Sequence, residues 1–318
     1  MNLFITGATG FVGTALLKRL LQDNVRLTVA VLDGENAEHL PVSVERVTVE
    51  PLSEYSDYSQ ALHNVDTVIH LAARVHVMQE IATDPLHEFR KVNLHGTERL
   101  ARQAAQAGVK RFVFMSTIGV NGDNSGNNSY TENDPPYPHN PYSVSKYEAE
   151  CALKHISVET GMDVVIVRAP LVYGPGNPGN FLSLLRVVSK AVPLPFASII
   201  NKRSLIYAGN LVDALATCAT HPAAAGQTYL VSDGEDVSTP ELLRRTAKAL
   251  GVTARLFPCS VVLMRLAGKM TGKSGAVKRL IGSLTVDSSK IQRELGWKPP
   301  ITMDEGLLET AAWFRGKL

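Results

Sequence analysis

Leu3-Phe-Ile-Thr-Gly-Ala-Thr-Gly-Phe-Val-Gly13 is the stretch that decides the fold. A short apolar run ends at Gly7, and glycines follow at 10 and 13, giving GxxGxxG. Beyond them Val12, Leu16, Leu17, Leu20 and Leu21 recur at helical intervals. Strand, glycine turn and helix in that order form the opening unit of a dinucleotide-binding sheet. Gly7 allows the tight turn, Gly10 lets a pyrophosphate approach the backbone, and Gly13 lets helix and strand pack closely. The helix start, with Phe11 and Val12, offers free N–H groups and a positive dipole to the phosphates.

The same texture continues through the first half. Apolar runs at 27–32, 44–49, 65–72, 111–116 and 163–168 read as strands. Helical patterns at 85–106 and 141–160 lie between them. Near-continuous β-branched runs separated by helices imply a parallel sheet covered on both faces. The predicted fold class is α/β: a doubly wound parallel (Rossmann) sheet with a smaller C-terminal α/β substrate domain. The expected division is 1–168 for the dinucleotide-binding domain and 169–318 for the substrate domain, with 205–222 returning to the first. The polar loop at 120–140 is too long for a simple connection, so it reads as functional or mobile.

Composition narrows the function. The chain has 318 residues, 45% apolar and 19% charged, with a formal net charge of +2. That is enough apolar surface for a sizeable core, which excludes disorder as the main state. So weak a charge gives no footprint for nucleic acid. Cys151, Cys218 and Cys259 are far apart and form no CxxC, which fits a reducing compartment and suggests neither disulfide nor zinc. No signal peptide is apparent, and no uncharged run approaches the ~18 residues of a membrane span. A cytoplasmic location is expected.

Four further positions carry chemistry. Asp33 ends the second strand 20 residues beyond Gly13. A carboxylate there accepts bonds from ribose hydroxyls and repels a 2′-phosphate, favouring NAD, with NADP the second reading. A solvated turn residue before Gly34 is the plainer account. Tyr142 and Lys146 stand four apart at the start of a helix, so phenol and ammonium share a face. A nearby ammonium is expected to lower the phenol's pKa and make it an acid or base near neutrality. Thr117 ends the fifth strand, where the active residues of such sheets collect.

TGATGFVG, VDTVIHLAA, KVNLHGT, RFVFMST, PYSVSK and RSLIY together resemble the extended short-chain dehydrogenase/reductase superfamily of nucleotide-sugar epimerases, dehydratases and reductases. The resemblance spans essentially the whole chain. It implies that Thr117, Tyr142 and Lys146 are catalytic. It implies that Leu52, Leu71, Ala72, Ala73, Arg74 and Asn93 line the cofactor, and that Lys146 bonds the nicotinamide ribose. Pro51 stands where relatives often carry an adenine-binding Asp, and proline offers neither carboxylate nor N–H for that contact.

On the substrate side the resemblance implies a UDP-sugar. Asn180 and Arg203 would hold its diphosphate, Arg279 or Lys278 would add a second cation, and Phe196 would stack on uracil or serve as an ordinary core aromatic. A homodimer through the helices bearing Asn93 and Tyr142 is also implied. Ile118-Gly119, in place of the acidic residues that follow the catalytic Thr in 4,6-dehydratases, ranks dehydration low. The expected reaction is narrowly 4-ketoreduction of a UDP-4-keto-6-deoxy-N-acetylhexosamine in surface-polysaccharide synthesis. A 4-epimerase with retained NAD is the alternative, and a non-catalytic dinucleotide sensor the third reading.

Overall fold

The computed structural model describes residues 1–75, 82–272 and 274–317. Seven strands form one sheet, every neighbouring pair parallel. They are β1 (Asn2–Thr6), β2 (Arg26–Leu32), β3 (Glu45–Val49), β4 (Thr67–His70), β5 (Arg111–Thr117), β6 (Asp163–Ala169) and β9 (Thr228–Leu230). Their order is β3-β2-β1-β4-β5-β6-β9. The order reverses between β1 and β4, so a crevice opens beyond the carboxyl ends of those two strands.

Both faces of the sheet are covered, and the strand period shows how. Leu3 and Ile5 of β1 pack into the apolar cluster with Leu16, Leu17 and Leu20 of α1 (Phe11–Leu20) and Leu211 and Leu215 of α6 (Ala208–Thr220). Phe4, one residue out of phase, packs on the opposite face with Leu100 of α3 (Thr97–Gln106) and Leu153 and Ile156 of α4 (Pro141–Thr160). Thus α6 and β9, both late in the chain, belong to this layered body.

The helix expected at 85–106 is not continuous. α2 (Pro85–Arg90) passes into a π turn over Lys91–Gly96 before α3 begins. Phe89, Asn93, Thr97 and Ala101 are all buried and lie four residues apart. On an α-helix each such step drifts by about 40°, so the four would spread over about 120°. The wider turn takes up this drift and keeps them on one side. Wide turns of this kind are frequent at functional sites.

The remaining elements build a smaller layer. β7 (Leu171–Tyr173), β8 (Arg203–Tyr207) and β10 (Asp236–Val237) form a second sheet in the order β10-β8-β7. α5 (Asn180–Ser189), α7 (Thr239–Leu250) and α11 (Met303–Arg315) share its core, which includes Tyr173, Phe181, Tyr207, Leu243 and Phe314. α8 (Val261–Met270), α9 (Ser274–Ile281) and α10 (Ser289–Leu295) complete the chain's elements. The long loop at 120–140 is pinned rather than loose. Tyr130 N–H donates to Thr285 (2.9 Å), Asp287 N–H donates to Tyr130 (2.8 Å), and Glu132 accepts from Leu230 N–H (2.8 Å).

Among the described residues no helix is long and apolar enough to cross a membrane, and no cluster of metal-ligating side chains occurs.

Candidate active site

The glycine loop is held by backbone against backbone. Gly7 has φ +70°, and a Cβ there would stand 2.7 Å from the Ala72 nitrogen. A Cβ on Gly13 would stand 2.1 Å from the Gly7 oxygen. Neither position admits a side chain. Gly10 differs, because a Cβ would meet only the Gly7 oxygen, at 3.4 Å. The fold itself does not demand glycine there, so the demand falls on what approaches from the crevice. Gly10 is also the N-cap of α1 and carries no side-chain cap, which leaves the first-turn N–H groups of Phe11 and Val12 facing the mouth. A Cβ at Gly176 would lie 3.6 Å from the Phe11 ring, so the Gly/Pro loop after β7 borders the same mouth.

β4 is shorter than expected, and the reason lies in Thr6. The Thr6 hydroxyl accepts from Ala72 N–H (3.3 Å) and meets His70 Nδ1 (2.6 Å). The other ring nitrogen of His70 meets the Thr97 hydroxyl (2.9 Å). This bends Leu71, Ala72, Ala73 and Arg74 away from the sheet and along the crevice. Asn93, buried in the π turn, fixes the far end: its Oδ1 accepts from Arg74 N–H (2.8 Å), and its Nδ2 donates to the Arg74 carbonyl (3.0 Å) and the Ser145 hydroxyl (3.0 Å). Burial pushes His70 down to about 3, so its ring is neutral at physiological pH. Leu52 is buried against the same turn, where a Cβ on Gly96 would lie 2.8 Å from it.

α4 starts sharply. The Asn140 side chain accepts from Ser143 N–H (2.9 Å), the Ser143 hydroxyl accepts from Asn140 N–H (3.2 Å), and Pro141 follows the cap. Tyr142 therefore sits in the first turn, edge-on to Phe89 at 6.1 Å between ring centres. Lys146 is fully buried one turn later, with Nζ 3.8 Å from the centre of the Phe114 ring. Thr117 ends β5 and accepts from Gly119 N–H (3.1 Å). A Cβ on Gly119 would touch both the Thr117 hydroxyl (3.4 Å) and Ser143 (3.1 Å), so strand end and helix start flank one glycine.

The electrostatics differ from the expectation that Lys146 lowers the Tyr142 phenol. Tyr142 keeps a partly exposed edge, yet the surrounding protein desolvates the phenol and pushes it up to about 12. Burial pushes Lys146 down to about 7, opposed by the carboxylate of Glu150. Desolvation of both charged forms outweighs their mutual influence, because the ammonium rests on an aromatic face in a dry layer.

Beneath this layer Glu150 is paired with Arg168 through two bonds (3.0 and 2.6 Å) and accepts from Ser116 (2.5 Å). Arg168 also donates to Asn121 (3.0 Å). The sequence reading missed this buried network.

Asp33 borders an open groove of about 530 Å³ together with Thr48, Glu50, Pro51 and Asp57. The carboxylate that reaches the glycine loop is Glu35, which hydrogen-bonds Thr9 and accepts from Leu32 N–H (2.9 Å). Asp57, whose carboxylate is held below its ordinary range by bonds from Ser59, faces the groove where Pro51 offers nothing. An acid three residues past the strand end was the only sequence signal for Glu35.

The substrate-side residues are less tightly gathered. Arg203 opens β8, and its guanidinium donates to the carbonyls of Arg279 (2.7 Å) and Gly282 (3.4 Å). Burial and the neighbouring Arg279 lower its pKa. Lys278 is taken up by Asp123 (2.6 Å). Phe196 is partly buried against the core of the smaller layer. Asn180 opens α5, and its side chain lies outside the described residues.

Comparison with known proteins decides what this arrangement is. A model of the NAD dependent epimerase/dehydratase family matches residues 3–232. The chain belongs to that family. It is 45% identical over 317 residues to the UDP-glucose 4-epimerase of Vibrio cholerae, covering 98% of this chain and 95% of that one. It is 27% identical over 323 residues to the N-acetyl-alpha-D-glucosaminyl-diphospho-ditrans,octacis-undecaprenol 4-epimerase of Escherichia coli O157:H7, covering 97% and 94%. The UDP-glucose 4-epimerase of Thermus thermophilus, solved in complex with NAD, superposes with a TM-score of 0.78 at 25% identity, covering all of both chains.

This epimerase/dehydratase family member is an NAD-dependent enzyme, and its crevice fits the cofactor. The uncrowded Gly10 and the uncapped start of α1 suit a pyrophosphate, and the bent 71–74 segment offers a wall beyond it.

Proposed function

We propose that the enzyme interconverts carbinol and ketone at C4 of a UDP-sugar, and that the outcome is 4-epimerisation. The observation that carries this reading is the pairing of a half-buried Tyr142 with a buried Lys146 at the start of α4, beside the end of β5 and the crevice. NAD, when bound, supplies the acceptor and donor of the C4 hydride. Tyr142 exchanges the O4 proton, and the Thr117 hydroxyl hydrogen-bonds O4 and holds it near the phenol. Lys146 supports the phenolate that forms when the proton leaves. Its near-neutral pKa lets the charge be present or absent at modest cost. Arg203, backed by the Arg279 and Gly282 carbonyls, is assigned to the diphosphate.

Two features favour epimerase over the ketoreductase expected from sequence. The relative at 45% identity bears an epimerase name. Asp33 beside the open groove and Glu35 bonded to Thr9 of the glycine loop support an acidic ribose pocket, which would suit NAD held through both half-reactions.

Purified enzyme incubated with UDP-glucose or UDP-N-acetylglucosamine should form the C4 epimer with no net change in nicotinamide absorbance. Consumption of added NADH with a 4-keto UDP-sugar, and no epimer formed, would support the reductase instead.

A further inference from the structure

The smaller layer carries an amphipathic helix whose apolar side faces outward. In α8, Met264 and Gly268 are the residues buried against the protein. Val262, Leu263, Leu266 and Met270 are exposed by 71%, 59%, 54% and 80%. At about 100° per residue these four fall within one arc of about 100°, diametrically opposite Met264 and Gly268. Single exposed apolar residues are ordinary, but four on one arc of one short helix form a patch that solution alone does not explain.

Charge says what covers it. Arg265 and Lys269 flank the apolar arc on one side, and neither makes an ion pair among the described residues. Both line a groove of about 640 Å³ between α8, α9 and the turn at 124–127, together with Asn124, Asn127, Ser274 and Ser283. Lys278 borders the same groove but is neutralised by Asp123 (2.6 Å). The sequence reinforces the bias. From residue 242 to residue 286 there is no Asp or Glu and there are nine Lys or Arg, in a chain whose net charge is only +2. An outward apolar arc beside unpaired cations is the pattern of a helix that lies in a membrane interface.

We propose that α8 docks this enzyme on the surface of an anionic phospholipid bilayer, with Val262, Leu263, Leu266 and Met270 entering the headgroup boundary and Arg265 and Lys269 meeting lipid phosphate. Ten residues are too few to span, so the contact is interfacial and reversible. Because Arg203 is bonded to the Arg279 and Gly282 carbonyls at the end of the same helical hairpin, docking sets the proposed diphosphate end of the crevice close to the lipid surface.

The test is co-sedimentation of the full-length enzyme with phosphatidylglycerol/phosphatidylcholine vesicles and with phosphatidylcholine alone. The enzyme should bind the anionic vesicles and not the neutral ones. Binding should fall as salt is raised well above 0.1 M, where the Debye length is about 10 Å. L263Q/L266Q should lower the partition coefficient at least about tenfold, since each buried leucine contributes roughly a decade or more. R265E/K269E should also abolish binding, and serves as the second variant if the first folds poorly. Failure of the native enzyme to sediment with anionic vesicles overturns the proposal. So does equal binding by both variants, or a fall in assembly mass in L263Q/L266Q, which would mean that the face covers a second copy of the chain. The readout is independent of turnover, so it stands or falls apart from the assigned reaction.

Discussion

Replacing Lys146 with methionine is expected to stabilise the fold while cutting turnover by orders of magnitude. Lys146 lies fully buried with its ammonium over Phe114, and burial holds its pKa at about 7 against an ordinary 10.5. That gap corresponds to about 5 kcal/mol against the charged form at low pH, and to about 4 kcal/mol near pH 7, where half the native molecules have shed the proton. Part is returned by the aromatic face, so the net gain from Lys146→Met is about 2–4 kcal/mol. Methionine matches the lysine stem in length and leaves no cavity. Glu150 stays paired with Arg168.

The pH dependence follows from the direction of the shift. The native pKa is depressed, so the unfolded chain binds more protons between pH 7 and pH 10.5, and native stability rises across that window. The methionine variant lacks that rise, so its advantage should shrink toward pH 10.5. Urea denaturation of both proteins, stripped of NAD to remove ligand linkage, measures the gap near pH 7 and again near pH 10. Turnover should meanwhile fall by ~10²–10⁴-fold. A variant no more stable than native near pH 7, or a gap that does not change with pH, would refute the account of a lysine held at a cost for chemistry.

Tyr142→Phe should lower kcat by ~10²–10⁴-fold with NAD affinity nearly intact, and steady-state kinetics showing less than a tenfold loss would remove the phenol from the proton path. Asp33→Ala should weaken NAD relative to NADP by about tenfold in a nicotinamide fluorescence titration, and an unchanged ratio would make Asp33 a turn residue and pass the role to Glu35. Arg203→Ala should raise KM for the sugar nucleotide about 10- to 100-fold with kcat little altered, since a diphosphate contact persists equally in ground and transition states. Calorimetry with free UDP separates that effect from loosening of the 279–282 turn, because equal UDP affinity in mutant and native protein would clear Arg203 of phosphate binding.

How much of this was legible in the sequence depended on the range of the interaction. The glycine loop was readable because Gly7 and Gly13 meet backbone atoms, and no other residue satisfies such contacts. Tyr142 and Lys146 were readable because both lie on one helix, where spacing alone decides which side they share. Glu150, Arg168, Ser116 and Asn121 were not, since their bonds join positions 18, 34 and 47 residues apart on a helix, two strands and a loop. The phenol's pKa was misjudged for a related reason, because burial is a property of the assembled layers rather than of neighbours on one helix. In the smaller layer, strands of three and two residues are too short to show any period.

The wide turn at Lys91–Gly96 has a consequence for chain length. Asn93 must meet Arg74 and Ser145 while Leu100 and Ala101 meet the sheet, and these two obligations are in phase only because of that turn. Removing any one residue between 91 and 96 would rotate everything after it by about 100° relative to everything before. Either the asparagine would leave the wall of the crevice or α3 would turn its polar side to the core. Substitutions here can be graded in effect, but a single-codon deletion is all or none. Natural variation in length among such chains is therefore expected in the loops at 33–44 and 120–140, and not in this helix, although it looks from its sequence like the more ordinary segment.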